Sequence, residues 1–256
     1  MNPSTAAKEL HEARLARATV PTLTSRWTGM TRPDAYAVQA EGIAHRLADG
    51  ETVVGGKLGF TSLAMQQAMG VDSPNYGWLT DSMMVHDGVI SLGGLIHPKV
   101  EPEIAFLLGE DLGATATAAE VVKTSIAVMP CLEIVDSRYD EFRFEAFDNI
   151  ADNSSAGQVV IGPGAANPSG IDLRTVGVVV SVDGEPLMTA SGAAALDDPA
   201  AAVAWMASAV ADSDRPLRAG DLVISGGLTS PIDLEAGMSM RVDIDRVGSA
   251  AFRVEE

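Results

Sequence analysis

His97-Pro98-Lys99-Val100-Glu101-Pro102-Glu103-Ile104-Ala105-Phe106 is the densest run of chemistry in the chain, and its reading decides the architecture. Glu101 and Glu103 lie two residues apart, so on an extended strand their side chains share one face. The apolar run from Ile104 to Leu108 that follows reads as a buried strand. Like carboxylates on a buried face repel each other unless a cation or a proton lies between them. Hard oxygen ligands favour Mg2+ or Mn2+ over Zn2+. Taken alone, two such acids equally describe a solvated strand face.

A third acid changes that balance. In Leu132-Glu133-Ile134-Val135-Asp136-Ser137-Arg138, Glu133 sits between apolar neighbours that point to the opposite face. Three inward carboxylates make a facial site for a hard cation, with positions left open for water and a chelating substrate. Arg138 is a candidate substrate contact, or the partner of Asp136 in a structural ion pair. In Gly55-Gly56-Lys57-Leu58-Gly59-Phe60-Thr61-Ser62, glycines let backbone approach a ligand. Lys57 is placed there to bind a carboxylate or move a proton, unless it is an ordinary turn residue. The stretch is not a phosphate loop, since G-x-x-x-x-G-K-[ST] is absent. Asn153, Ser154 and Ser155 form a polar loop ahead of the strand Val159 to Ile161 and offer amide and hydroxyl contacts, as any plain loop would.

The rest of the chain frames these segments. Residues 4–20 read as a helix. Thr31, with Pro33 and Asp34 in the first turn, opens a second that Gly50 ends. Beyond Gly50, short apolar runs alternate with Gly, Asp and Pro and read as strands around 52–54, 88–90, 104–108, 159–161, 176–182, 222–225 and 240–244. Asp183-Gly184 marks a hairpin. Thr117 and Glu120 form a capping box for a helix near 118–127, and Asp198 to Ala211 reads as another. The expected class is α+β, with residues 1–50 a helical N-terminal part and 51–256 a β-rich catalytic domain.

Composition narrows the partners. The net charge of -18, from 35 acidic and 17 basic residues, argues against nucleic acid. It also requires local positive charge wherever an anionic substrate binds. No apolar run reaches the roughly 18 residues that span a bilayer. Met1 to Leu10 lacks a basic stretch followed by an apolar one, so the expected location is cytoplasmic. Cys131 is the only cysteine; it suits a reducing compartment and reads as a small buried hydrophobe. His97 reads as structural, and no Ser-His-Asp, C-x-x-C or dinucleotide fingerprint is found.

Together GGKLGFTS, MGVDSPNYGWLTDSM, IHPKVEPEIAFLLG, PCLEIVDSRYDEFRF, ADNSSAG and GDLVISGGLTSP resemble the fumarylacetoacetate hydrolase superfamily, over about Asp34 to Val247. The likeness is to its hydratase/decarboxylase branch. It implies a mixed β-roll, Mg2+ or Mn2+ held by Glu101, Glu103 and Glu133, a catalytic Lys57 and an aspartate at Asp81. Hydratases of the branch place that acid one residue later, where this chain has Ser82. The substrate-binding candidates are Leu58, Asn153, Ser154, Ser155 and Arg138. The DSRYDEFRF segment and His97-Pro98-Lys99 resemble the decarboxylases. The implied reaction is decarboxylation of 2-oxo-3-hexenedioate in meta-cleavage catabolism of aromatic compounds, with 2-hydroxypentadienoate hydratase as the alternative. A silent partner subunit is the non-enzyme alternative. The resemblance also implies a homo-oligomer, and a complex with a related hydratase or decarboxylase. Two departures stand out. The His-Glu lid pair of the acylpyruvase relatives is missing around His11 and His45. Pro102 replaces the usual alanine between the two acids; it removes a strand donor, so the strand is expected at an edge that tolerates the loss.

Overall fold

The computed structural model describes residues 1–256, the side chain of Ala68 excepted. In chain order the elements begin with helices α1 (Pro3–Ala16) and α2 (Arg32–Ala48), strand β1 (Val53–Gly59), α3 (Leu63–Met69), β2 (Asn75–Thr80), β3 (Met84–Val85) and β4 (Val89–Ser91). The middle holds β5 (Lys99–Leu108), α4 (Ala118–Thr124), β6 (Ser125–Val135), α5 (Ala146–Ala151) and β7 (Ala156–Ile161). Then come β8 (Gly177–Val182), β9 (Glu185–Ser191), α6 (Pro199–Val210), β10 (Leu222–Ile224), β11 (Ile232–Asp233), β12 (Ser239–Ile244) and β13 (Gly248–Glu255). The first sheet runs β2-β1-β10-β5-β6-β7-β3 with β11 also on β5, and the second runs β4-β13-β12-β8-β9. The structure is α+β, a mixed β-roll, as the family resemblance implies.

Strict alternation along β5 and β6 organises the interior. Val100, Ile104, Phe106 and Leu108, with Leu132 and Ile134 opposite, point into the main core beneath α6 and the second sheet. Each is 0% exposed, so each contributes about 1.5–3 kcal/mol of burial. The other face carries Glu101, Glu103, Cys131 and Glu133. Cys131 lies there in a small apolar cluster with Leu79, Ala105 and Ile224 and is fully buried.

Pro102 is not at an edge. It lies in the central strand, in the gap between β10, which pairs with Ala105–Leu107, and β11, which pairs with Lys99 and Val100. Its carbonyl accepts from Leu228 N at 2.9 Å on that side. In an antiparallel strand the N–H and C=O of one residue point the same way. The missing donor therefore falls in the gap and leaves the ladder to β6 intact.

The capping signals place the helices well. Thr31 and Thr117 form capping boxes with Asp34 and Glu120, and Asp198 caps α6. The first helix stops at Ala16, short of residue 20, because Arg17 adopts a left-handed cap at φ 53°. The α4 helix stops at Thr124 because Ser125 turns extended and starts β6. Asp183 and Gly184 make the expected hairpin, both with positive φ. Helices α1 and α2 share a second core with Tyr139, Ile150 and Ala151, which ties them to the loop and helix behind the acid face. No helix among the described residues is long and apolar enough to cross a membrane.

Candidate active site

The register of β5 against β6 sets Glu101 directly opposite Glu133 and Glu103 opposite Cys131. One carboxylate oxygen from each of Glu101, Glu103 and Glu133 lies within 4.8 Å of the others. Glu103 and Glu133 are fully buried, and Glu101 is half-buried beside an open cavity. Gly226 N donates to Glu103 Oε2 at 2.7 Å. Glu103 Oε1 and both Glu133 oxygens have no hydrogen-bond partner among the described residues. The glycine pair after β10 makes room for this. Gly226 has φ +94°, and a Cβ on Gly227 would stand 2.9 Å from Glu101 Oε1.

Lys57 reaches the acids from β1. Its Nζ forms an ion pair of 3.1 Å with Glu133 Oε2 and lends charge to the acids. The directed bonds of Nζ go to Ser154, at 2.9 Å to the carbonyl and 3.3 Å to Oγ. Burial works against the ammonium, but the carboxylates of Glu133, Glu103 and Glu101 outweigh it and raise its pKa. Burial, then the neighbouring Glu133, pushes Glu101 up to about 7 despite Lys57. The same two causes drive Glu103 well above its ordinary value, and burial raises Glu133.

Three carboxylates and one ammonium sum to -3 + 1 = -2 when all are ionised. A divalent cation closes that sum and gives the orphaned oxygens ligand bonds. The site therefore fits a hard ion such as Mg2+ or Mn2+, with Glu101, Glu103 and Glu133 the residues that could hold it.

A directed hydrogen-bond chain continues from Lys57. Ser154 Oγ donates to Asn75 Oδ1 at 3.0 Å, Asn75 Nδ2 to Asn149 Oδ1 at 2.7 Å, and Asn149 Nδ2 to Ser155 Oγ at 3.0 Å. The hydroxyl proton of Ser155 has no acceptor among the described residues and is free for a ligand in the cavity. That cavity holds about 290 Å³, and Lys57, Glu101, Ser154 and Ser155 are among its lining. Its apolar wall is Phe60, Met65, Met69, Val135, Phe142 and Phe144, and Lys99 also lines it.

Four sequence candidates fall elsewhere. The Leu58 side chain alternates away from Lys57 and is buried in the main core. Arg138 is buried and donates to the Asp152 carboxylate and carbonyl and to the Asp136 carbonyl, so its guanidinium is consumed by structure. Its carboxylate partner is Asp152; Asp136 instead accepts from Ile96 N and His97 N. Asn153 is spent pinning its loop to Trp78, through N–H and C=O contacts of 2.8 Å each. Asp81 is exposed and accepts from Thr52 N at 3.0 Å and Thr52 Oγ1 at 2.7 Å. These bonds hold its pKa below the usual carboxylate range. The residue it grips precedes β1 and is five residues from Lys57, roughly 17 Å along the strand. Asp81 thus fastens the far end of the β1–β2 pair.

Sequence reasoning missed Asn75, Asn149, Lys99 and the aromatic wall. Only Lys99 carried a readable signal, because it continues the alternation of Glu101 and Glu103 on the same face.

Residues 53–255 match the family described as fumarylacetoacetate (FAA) hydrolase, C-terminal. The chain is 39% identical to a 2-keto-4-pentenoate hydratase of Paraburkholderia xenovorans over 252 residues, covering 98% of this chain and 94% of the relative. It is 36% identical to a 4-oxalocrotonate decarboxylase of Pseudomonas sp. strain CF600 over 249 residues, covering 96% and 94%. Among solved structures, 4-oxalocrotonate decarboxylase from Pseudomonas putida G7, complexed with magnesium and adipate, superposes with a TM-score of 0.95. That relative is 34% identical, with 98% of this chain and 97% of the other covered.

Proposed function

The chain belongs to the fumarylacetoacetate hydrolase family, and from that premise we propose that it is a divalent-metal-dependent decarboxylase of 2-oxo-3-hexenedioate. The product is 2-hydroxypenta-2,4-dienoate. One observation carries the reading: three clustered carboxylates, two of them fully buried and three of their oxygens without a hydrogen-bond donor, that with Lys57 sum to -2 when ionised, beside a cavity sized for a small acid. The relative solved with magnesium and adipate, a six-carbon diacid like the proposed substrate, supports both the ion and the substrate length. A cytoplasmic homo-oligomer that associates with the enzyme consuming its product belongs to the same proposal.

In the reaction the C5–C6 bond breaks and CO2 leaves. The electron pair moves through the C3–C4 double bond to the 2-oxo oxygen, which takes a proton from solvent to become the 2-hydroxy group. When bound, the cation supplies Lewis acidity to that oxygen. The Lys57 Nζ, beside Glu133 and bonded to Ser154, is placed to stabilise the developing negative charge. Ser155 Oγ donates to the substrate's first carboxylate, held in orientation by Asn149 and Asn75. An apolar wall accommodates the neutral CO2 as it forms. Phe142 and Phe144 in that wall come from the segment that resembles decarboxylases.

Hydration of 2-hydroxypentadienoate is the second reading, favoured by the 39% identity to a named hydratase and by the dienol common to both reactions. Purified protein with Mg2+, assayed alone on each substrate, separates the cases. CO2 release from 2-oxo-3-hexenedioate is expected. Turnover of 2-hydroxypentadienoate only would make the chain a hydratase, and silence on both would make it a partner subunit.

A further inference from the structure

We propose that Lys99 is a specificity-determining residue that selects substrates carrying a second carboxylate. This rests on the decarboxylase reading above and names the group that meets the far end of the diacid. Lys57 and Lys99 are the two cationic side chains that line the cavity among the described residues. Lys57 is committed to the glutamates and Ser154, which leaves Lys99 for a second anion. Arg143, the other base in the neighbouring loop, is exposed and paired with Asp140 and Glu141.

The placement follows from strand geometry. Lys99 precedes Glu101 by two residues on the same face of β5, a step of roughly 7 Å. Both side chains therefore line the same cavity. Lys99 Nζ pairs with Asp233 Oδ1 at 2.7 Å, yet the Asp233 side chain is 76% exposed. An ion pair to a solvated carboxylate is weak and exchanges readily. The Phe142 ring, with its centroid 5.4 Å from Nζ, holds the ammonium against the apolar wall. Asp233 therefore occupies Lys99 until the substrate's distal carboxylate replaces it, and takes it back when that carboxylate departs as CO2. Lys99 binds the diacid before bond breaking, so its effect falls on KM more than on kcat.

The test compares wild type, Lys99→Met and Asp233→Asn, each loaded with Mg2+. Competitive binding of adipate and of hexanoate is measured for all three, together with KM and kcat on 2-oxo-3-hexenedioate. Wild type should prefer adipate. Lys99→Met should lose roughly ten- to a hundredfold in adipate affinity, bring the adipate-to-hexanoate ratio near one and raise KM. Asp233→Asn should keep the preference or strengthen it up to roughly fivefold, because the competing carboxylate is gone. A merely structural ion pair would make the two variants behave alike, and equal shifts in the ratio, or no shift in Lys99→Met, would overturn the assignment. Lys99→Gln carries the same comparison if the methionine variant does not fold. Failure of wild type to release CO2 would instead refute the decarboxylase reading, while the binding ratio would still report on Lys99.

Discussion

Replacing Glu103 with glutamine should cost the protein up to about two orders of magnitude in divalent-metal affinity. The substitution keeps the side-chain volume and still offers an oxygen to Gly226 N, whose bond to Glu103 is 2.7 Å. It removes one negative charge. With a divalent ion bound, the charges around Glu103 sum to +2 from the ion, -2 from Glu101 and Glu133, and +1 from Lys57, or +1 in all. At a common separation of 4.8 Å, the span of the cluster, and an effective dielectric constant of about 20, Glu103 gains about 3 kcal/mol from that field. In metal-free protein burial and Glu133 raise the Glu103 pKa, so displacing its proton offsets part of this gain and makes about 3 kcal/mol the upper figure. About 3 kcal/mol is roughly a hundredfold in affinity. Calorimetric titration of Mn2+ at pH 8 reads the loss, with circular dichroism to check that the variant is folded. Affinity equal to wild type would refute the assignment of Glu103 as a ligand.

Other outcomes follow from the same site. Lys57→Met should lower kcat roughly a hundred- to a thousandfold with the fold retained, the scale of losing one preorganised charge donor; steady-state kinetics near wild type would exclude its role. Asp81→Ala should lower the melting temperature slightly and leave kcat within a fewfold, because Asp81 grips Thr52 and not the cavity; a hundredfold fall in kcat would return it to the chemistry. Between pH 4.5 and about 7, metal-free folded protein holds a proton on Glu101 that the unfolded chain has released. Stability from this group therefore falls as pH rises through that window. The rise in melting temperature on adding Mg2+ should grow over the same range, and a pH-independent rise would contradict the raised carboxylate.

The acid triad was legible because it obeys local rules. Period-two alternation puts Glu101 and Glu103 on one face, and apolar neighbours on both sides of Glu133 force it inward. The capped helices were legible because Thr31, Thr117 and Asp198 make bonds within three residues of themselves. Helices α3 and α5 escaped notice because seven and six residues are too short to show a period. Asn75 and Asn149 joined the site through contacts 74 residues apart, which no local pattern encodes. Arg138 and Asn153 looked like ligand-binding groups because charge and polarity were visible, whereas their partners, Asp152 and the Trp78 backbone, were set by tertiary packing. Asp81 was placed by family pattern alone, and the β1–β2 pairing carries it to the opposite end of the strand from Lys57.

The most direct measurement is an anomalous difference map from crystals of this protein soaked in Mn2+. A single peak bounded by Glu101, Glu103 and Glu133 is expected, weakened or lost in Glu103→Gln. An empty triad in Mn2+-soaked crystals of active protein, or a peak held by other residues, would contradict a metal centre at this place.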